Sequence, residues 1–196
     1  MKEPQVHELL YQALETEIGG QQIYETAISC AQTPELKEEW QKYLEETRNH
    51  EQVLLEAFGS LSLDPSKMTP GREIVHHLGE SLVTAMKKAQ AGDPAAAEIV
   101  AAECVVLAET KDHQNWTLIS KAGEEAKGEL ARALRRAAEQ VEDQEDEHLY
   151  HTMGWSRELW IEAMGMPAVL PPPEEEKSVK TAIGAARAAQ SRDELL

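Results

Sequence analysis

Apolar side chains recur at intervals of three and four residues along most of the chain, the spacing of one face of an α-helix. One stripe predicts a helix from Pro4 to Cys30. Another predicts a helix from Pro34 to Phe58, after a Thr-Pro pair typical of helix starts. A third stripe runs from Asp93-Pro94 to Lys121, and a fourth runs from a break near Gly123 to Met153. The pattern therefore predicts four long amphipathic helices.

The connections between these helices differ in length. The first and second helices are joined tightly, as are the third and fourth, so each pair is expected to form an antiparallel hairpin. The connection over residues 59–93 is long, and its apolar spacing predicts a shorter helix from Pro70 to Ala91. The sequence thus predicts two hairpins joined by a long crossover that contains an extra helix.

The C-terminal part is expected to extend beyond the bundle. A bend at Gly154 and a short capping helix from Trp155 to Met164 complete a first domain over residues 1–166. Residues 167–196 form a proline- and glutamate-containing linker followed by an alanine-rich tail. Whether that tail docks on a neighbour or stays disordered is left open by its weak amphipathic pattern.

The composition supports an all-α protein and limits the kinds of molecule that it is expected to bind. Hydrophobic residues make up 41%, charged residues 28% and aromatic residues 5%, and good helix formers dominate. The formal net charge of −17 disfavours nucleic acid and anionic membranes and favours cations. Cys30 and Cys104 form no Cys-x-x-Cys motif, which argues against a rubredoxin-type centre or zinc ribbon. With no signal peptide and no transmembrane run, we expect a soluble, cytoplasmic protein.

Five residues on these apolar stripes carry metal-ligating groups. They are Glu17, His50, Glu109, Glu145 and His148, contributed by all four long helices. A buried carboxylate or imidazole is costly without a partner, and carboxylates with imidazoles suit iron, manganese and zinc. The pattern therefore predicts one or two transition-metal ions inside the bundle.

These motifs resemble those of the ferritin-like, or rubrerythrin-like, superfamily of di-iron carboxylate proteins. Its pattern is a Glu on one helix and Glu-x-x-His on the next, used twice. The second half fits, with Glu109 followed by Glu145-Asp146-Glu147-His148, and Glu17 is followed seven residues later by Tyr24, another family habit. The resemblance covers roughly residues 4–153.

The resemblance implies a ferritin-like four-helix bundle with two iron ions, manganese or zinc being possible substitutes. Glu17 and Glu109 would be terminal ligands, Glu145 would bridge, and His50 and His148 would complete the shells. The implied activity is oxidase, ferroxidase or peroxide scavenging, with O2 or peroxide as the oxidant. A separate electron donor, or Fe(II) itself, would be the reductant.

The first half departs from the family pattern. Thr47, not Glu, stands three residues before His50, and the nearest acid is Glu46, about 40° from His50 around the helix. Glu46 could replace the missing bridging carboxylate. Alternatively Glu145 bridges alone, and the metal nearer Glu17 binds weakly or not at all.

Three further residues are weaker candidates for a role at the site. His113 lies one turn beyond Glu109 and is a candidate extra ligand or outer-shell donor. Tyr24 is a core aromatic with a possible second role as a hydrogen-bond donor or radical sink. A three-histidine site using His50, His148 and His151 is a poorer alternative, since it leaves the acidic residues Glu17 and Glu109 unexplained.

Two alternatives concern the whole molecule. The Thr47 departure and the acidic tail also fit a non-catalytic scaffold or binding protein with a degenerate metal site. A homodimer is expected if an apolar cluster near the C-terminal end is exposed. That cluster comprises Trp155, Leu159, Trp160 and Ile161.

Overall fold

The computed structural model describes residues 1–167, and all regular secondary structure in that range is α-helical. The all-α prediction is confirmed for this part of the chain. The predicted linker and tail, residues 167–196, lie outside the described residues except for Pro167. The helices are α1 (Glu3–Cys30), α2 (Pro34–Ser60), α3 (Pro70–Gln90), α4 (Pro94–Glu125) and α5 (Gly128–Ala163).

Helices α2, α3 and α4 each begin with a proline, as their sequences predict. Proline suits the first helical position because its missing N–H would have no intrahelical partner there. The Thr69 hydroxyl accepts a hydrogen bond from the Arg72 N–H, and the Asp93 carboxylate accepts one from the Ala96 N–H. These side chains cap the starts of α3 and α4.

Side-chain contacts establish the helix directions. Arg72, near the start of α3, contacts Glu15, whereas Gln90 at its end contacts Ser29. Helix α3 therefore runs parallel to α1 and carries the chain back along it. The short α1–α2 and α4–α5 connections make both of those pairs antiparallel hairpins, as predicted.

The four long helices close into a bundle. Both α1 and α5 pack against α2 and α4, while α3 lies outside and packs against α1 and α4. Glu56 contacts Arg136, and Glu39 contacts Trp155, so α2 and α5 are antiparallel. The crossover helix covers one side of the bundle without entering its interior.

The predicted bend at Gly154 and the separate capping helix over residues 155–164 are wrong. Helix α5 continues through this region to Ala163. A glycine costs a helix interior about 1 kcal/mol. The next turn buries Trp155 and Leu159, and each large apolar side chain contributes about 1.5–3 kcal/mol on burial. That burial outweighs the cost of the glycine.

The predicted break near Gly123 is also wrong, because α4 extends to Glu125. Arg135 of α5 packs over Gly123 and donates from Nε to its carbonyl at 2.7 Å. A side chain at Gly123 would meet α5, so glycine permits close helix packing here. The turn comes later, at Gly128, whose φ of +65° favours glycine.

The apolar cluster expected to drive dimer formation is mostly internal. Trp155, Leu159 and Ile161 are buried, and only Trp160 is exposed. The Trp160 indole N–H donates to Glu103. The expectation of a four-residue exposed patch was wrong, and the homodimer stays a prediction.

The apolar interior is divided into two clusters along the bundle axis. One is centred on Tyr24, Trp40 and Trp155, and the other on Trp116 and Phe58. A layer of buried polar side chains lies between them. Among the described helices, none has an apolar stretch long enough to cross a membrane.

A buried ion pair fastens α3 to α1. Arg72 is the only buried lysine or arginine in residues 1–167, and its Nε donates to Glu15 at 2.7 Å. Its Nη1 donates to the carbonyls of Pro65 and Lys67, and His76 also contacts Glu15. This network holds both the crossover loop and the start of α3.

We predict that Arg72→Met destabilises the protein by about 3 kcal/mol, because it leaves Glu15 buried without its cation. Urea unfolding followed by circular dichroism would measure the loss. Arg136→Met is the matched control, since Arg136 and its partner Glu56 are exposed and such pairs contribute about 1 kcal/mol or less. Equal effects of the two substitutions would contradict this assignment.

Candidate metal centre

The five residues predicted from the apolar stripes meet in the polar layer between the two apolar clusters. Glu17 comes from α1, His50 from α2, Glu109 from α4, and Glu145 and His148 from α5. Each is at most 3% exposed. The three-residue spacing on α5 places the last two on one helix face, so all four long helices contribute to one site.

Asp112 is a further acid in this layer that the sequence analysis missed. It is 5% exposed and follows Glu109 by one helical turn on α4. The signal was present as an acidic pair at spacing three. The family pattern places no ligand at this position, and the adjacent His113 is at a similar angle from Glu109.

The potential ligand atoms form two compact groups. One contains His50, Glu145 and His148, and the other contains Glu17, Asp112 and Glu145. Within each group, one ligand atom per residue lies within 4.8 Å of the others. Glu145 belongs to both groups, which is the position required of a bridging carboxylate. Glu109 belongs to neither group, although its Oε2 lies 3.7 Å from His148 Nδ1.

The imidazoles present their Nδ1 atoms to the acids. His50 Nδ1 lies 2.9 Å from Glu145 Oε1 and 3.8 Å from Glu17 Oε1. His148 Nδ1 lies 3.7 Å from Glu109 Oε2 and 3.8 Å from Glu145 Oε1. Ligand atoms on one ion are typically about 3–3.5 Å apart. The separations are therefore close to those of a coordination shell.

Many polar atoms of the cluster have no hydrogen-bond partner among the described residues. Both oxygens of Glu145 are unpartnered, although one lies near His50, because those two atoms are not aligned for a hydrogen bond. Buried polar atoms are nearly always satisfied, and these could be satisfied by protons or by a cation. The other unpartnered atoms are Glu17 Oε2, Glu109 Oε2, Asp112 Oδ1, His50 Nδ1 and His148 Nδ1. A cation would fit all of them.

The carboxylates also repel one another. Two unit charges 4.8 Å apart repel by roughly 3 kcal/mol at an effective dielectric constant of 20. Burial, then the charges of Asp112 and Glu145, raises the pKa of Glu17 well above its usual range. Burial and neighbouring carboxylates likewise raise the pKa of Asp112, and they bring that of Glu145 to about 8.

The two histidines respond oppositely to this environment. Burial lowers the pKa of His50. Burial also opposes protonation of His148, but the carboxylates of Glu109, Glu46 and Glu145 outweigh it and raise its pKa to about 10. Without a metal ion, the cluster therefore takes up protons to reduce its negative charge.

Glu46 lies beside the cluster and contacts the outer side of an imidazole. Its Oε2 is 3.0 Å from His148 Nε2, the ring nitrogen opposite the atom that faces the acids. Gln144 Oε1 is 2.8 Å from His50 Nε2 in the same manner. Such partners fix the ring orientation of metal-ligating histidines. In this structure Glu46 occupies an orienting position, outside both ligand groups.

His113 lies at the rim of the bundle. Its Nε2 is 2.7 Å from Asp146 Oδ1, and its ring packs against Tyr150. The side chain is 26% exposed and belongs to neither ligand group. The ring is turned toward Asp146 of α5, and the ligand role of His113 stays a prediction.

Tyr24 and Trp116, which stand seven residues after Glu17 and Glu109, each reach the glutamate of the other helix. The Trp116 indole N–H donates to Glu17 Oε1 at 2.8 Å. Burial and the Glu109 carboxylate raise the pKa of Tyr24, whose ring lies 6.2 Å from that of His148. The fully buried phenol of Tyr24 therefore lies beside the site, as its predicted role requires.

No protein-family model, curated protein or solved structure matches this chain.

We predict that the chelator-treated protein loses stability as pH rises from 6.5 to 8. The pKa of Glu145 is raised from 4.5 in the unfolded chain to about 8 in the folded protein. The stability that comes from protonating Glu145 is therefore fully present below pH 4.5 and is lost as pH rises through 8. His148 changes stability in the same direction. Each proton held only by the folded state lowers the unfolding free energy by about 1 kcal/mol per pH unit. Urea unfolding across this range measures the slope.

Glu145→Gln should make this slope shallower and raise stability at pH 8, because it removes one buried titrating charge. Glu142→Gln, an exposed position on the same helix, should leave the slope unchanged. Stability that increases with pH over this interval would contradict the electrostatic interpretation.

Proposed function

We propose that this protein is a ferritin-like oxidoreductase that holds two transition-metal ions, most readily iron, in the polar layer of its bundle. The observation that carries the proposal is the buried cluster of four carboxylates and two imidazoles, whose acids form their ion pairs with histidines and not with lysine or arginine among the described residues. The expected oxidant is O2 or peroxide, and the reaction is oxidase, ferroxidase or peroxide scavenging.

The helix topology supports this assignment. Two antiparallel hairpins are joined by a long crossover between α2 and α4, which is the arrangement of ferritin-like bundles. The crossover is itself mostly helical here, since α3 fills it. The mixture of carboxylate and imidazole ligands drawn from facing helices is that of the di-iron members of this class.

The residues of the cluster would have different roles as metal ligands. Glu17, Glu109 and Asp112 would be terminal ligands, Glu145 would bridge, and His50 and His148 would donate from Nδ1. The Trp116 indole holds one oxygen of Glu17 and leaves the other oxygen facing the site. These contacts order the ligands before any ion arrives, so binding costs little side-chain entropy.

Bound iron would supply the electrons that reduce O2 or peroxide. The protein's contribution is to exclude water, because the site lies between two apolar clusters and its ligands are almost fully buried. Tyr24 is placed to donate a hydrogen bond from its phenol beside Glu109. Its raised pKa keeps that phenol protonated in the resting protein.

Thr47 favours a second candidate function. It is buried in the polar layer, and its methyl group faces Gly20 of α1, where the family pattern has a carboxylate. A scaffold protein with a degenerate metal site would also tolerate such a change. That alternative requires no redox chemistry and predicts negligible uptake of metal.

We predict that anaerobic Fe(II) titration loads about two ions per chain and that the loaded protein then consumes O2 or peroxide. Glu109→Gln and His148→Ala should each weaken iron binding at least about tenfold, because each substitution removes a direct ligand. Elemental analysis after gel filtration would measure the bound iron, and an oxygen electrode would measure the consumption of O2.

Glu103→Gln is a matched control, because Glu103 is an exposed acid on the same helix as Glu109. It should retain both iron ions and the activity. Wild-type protein that stays metal-poor after anaerobic loading would favour the scaffold alternative over the oxidoreductase.

A further inference from the structure

We infer that the two metal positions are chemically different and that, when two kinds of ion are offered together, they separate them: a borderline ion such as Zn(II) or Fe(II) binds at His50 and His148, and a hard ion such as Mn(II) binds at Glu17 and Asp112. This inference rests on the proposed function and adds the metal selectivity of that same site.

The first position is rich in nitrogen. His50 and His148 both aim Nδ1 at Glu145, and their rings stack at a centroid distance of 5.5 Å. Their Nε2 atoms are taken by Gln144 and Glu46. Both imidazoles are therefore oriented toward the same ligand group, which also includes Glu145.

The second position is rich in oxygen. The nearest imidazole nitrogen, His50 Nδ1, lies 3.8 Å from Glu17 Oε1 but 2.9 Å from Glu145 Oε1, so it faces the shared carboxylate more closely. The ligand group at this position comprises Glu17, Asp112 and Glu145. Each has an unpartnered oxygen in the interior, and all three are at least 95% buried. An acidic cluster on a surface would be solvated, but these oxygens face one another inside the bundle.

The two donor sets prefer different ions. Imidazole suits zinc, iron, copper and nickel, whereas carboxylate oxygens suit manganese, magnesium and calcium. A site with one imidazole beside each ion would give equal positions. Here Thr47 removes a carboxylate near His50, and Asp112 adds one beside Glu17. The ligand set is thereby divided into a nitrogen-rich side and an oxygen-rich side.

The experiment loads full-length, chelator-treated protein with one equivalent of Zn(II) and an excess of Mn(II). Limiting the zinc matters because zinc binds most ligand sets more tightly than manganese does. Elemental analysis should find one zinc and one manganese per chain. Anomalous-difference maps at the two absorption edges should place zinc beside His50 and His148 and manganese beside Glu17.

Asp112→Asn should weaken manganese binding at least about tenfold and leave zinc affinity within about threefold. His50→Gln should do the reverse. Asp143→Asn, at an exposed position of α5, is the charge-matched control and should retain both ions. Retained zinc reports that the Asp112 variant is folded. If it does not fold, Glu17→Gln replaces it, with the same expected loss of manganese.

Zinc and manganese mixed at both positions would overturn this inference and leave the proposed two-metal function intact. Loss of both ions in equal proportion on Asp112→Asn would also overturn it. Failure of either ion to bind wild-type protein, under conditions where Fe(II) also fails, would overturn the inference and the proposed function together.

Discussion

The fold depends on how it compensates a group of like charges that it has buried. Glu17, Glu109, Asp112 and Glu145 lie in one layer of the bundle, and Arg72, the only buried basic residue other than histidine in residues 1–167, is committed to Glu15 elsewhere. Protons or cations must therefore balance these carboxylates, since an uncompensated buried charge costs several kcal/mol. The free-energy cost of burying these charges arises in the layer between the two apolar clusters. The burial of apolar side chains in those clusters offsets that cost.

The surrounding structure holds the ligands without neutralising them. Trp116 donates to one oxygen of Glu17, and Gln144 and Glu46 contact the outer nitrogens of the two imidazoles. Each contact leaves the inward atom unpartnered. A polar network built only for stability would be expected to satisfy its members internally. The inward atoms are therefore left to protons or to a bound cation, and a cation that binds only the folded protein would stabilise it.

Periodicity and capping signals predicted the helices well, because both are local. The starts of α2, α3 and α4 follow Thr-Pro or Asp-Pro pairs, and the five stripe residues converged as expected. The errors arose where tertiary packing overrode a local signal: Gly123 and Gly154 lie inside helices because neighbouring side chains pack over or beyond them. Asp112 was missed although its spacing from Glu109 puts both acids on one face of α4, because His113 is also about one turn from Glu109 and the sequence alone does not specify which of these two neighbours faces the bundle interior.

The count of charges bears on how many ions the site would hold. The family pattern has four carboxylates and two imidazoles. The present cluster also has four carboxylates and two imidazoles, with Thr47 at the α2 position where that pattern has an acid and with Asp112 as an additional acid on α4. Two divalent cations carry the charge that balances four carboxylates, whereas a single divalent cation would leave two negative charges uncompensated in the interior. The cluster thus has the same number of acids as the pattern that the sequence resembles, with the fourth acid on α4 and not on α2, and its charge is the charge that two divalent cations would balance.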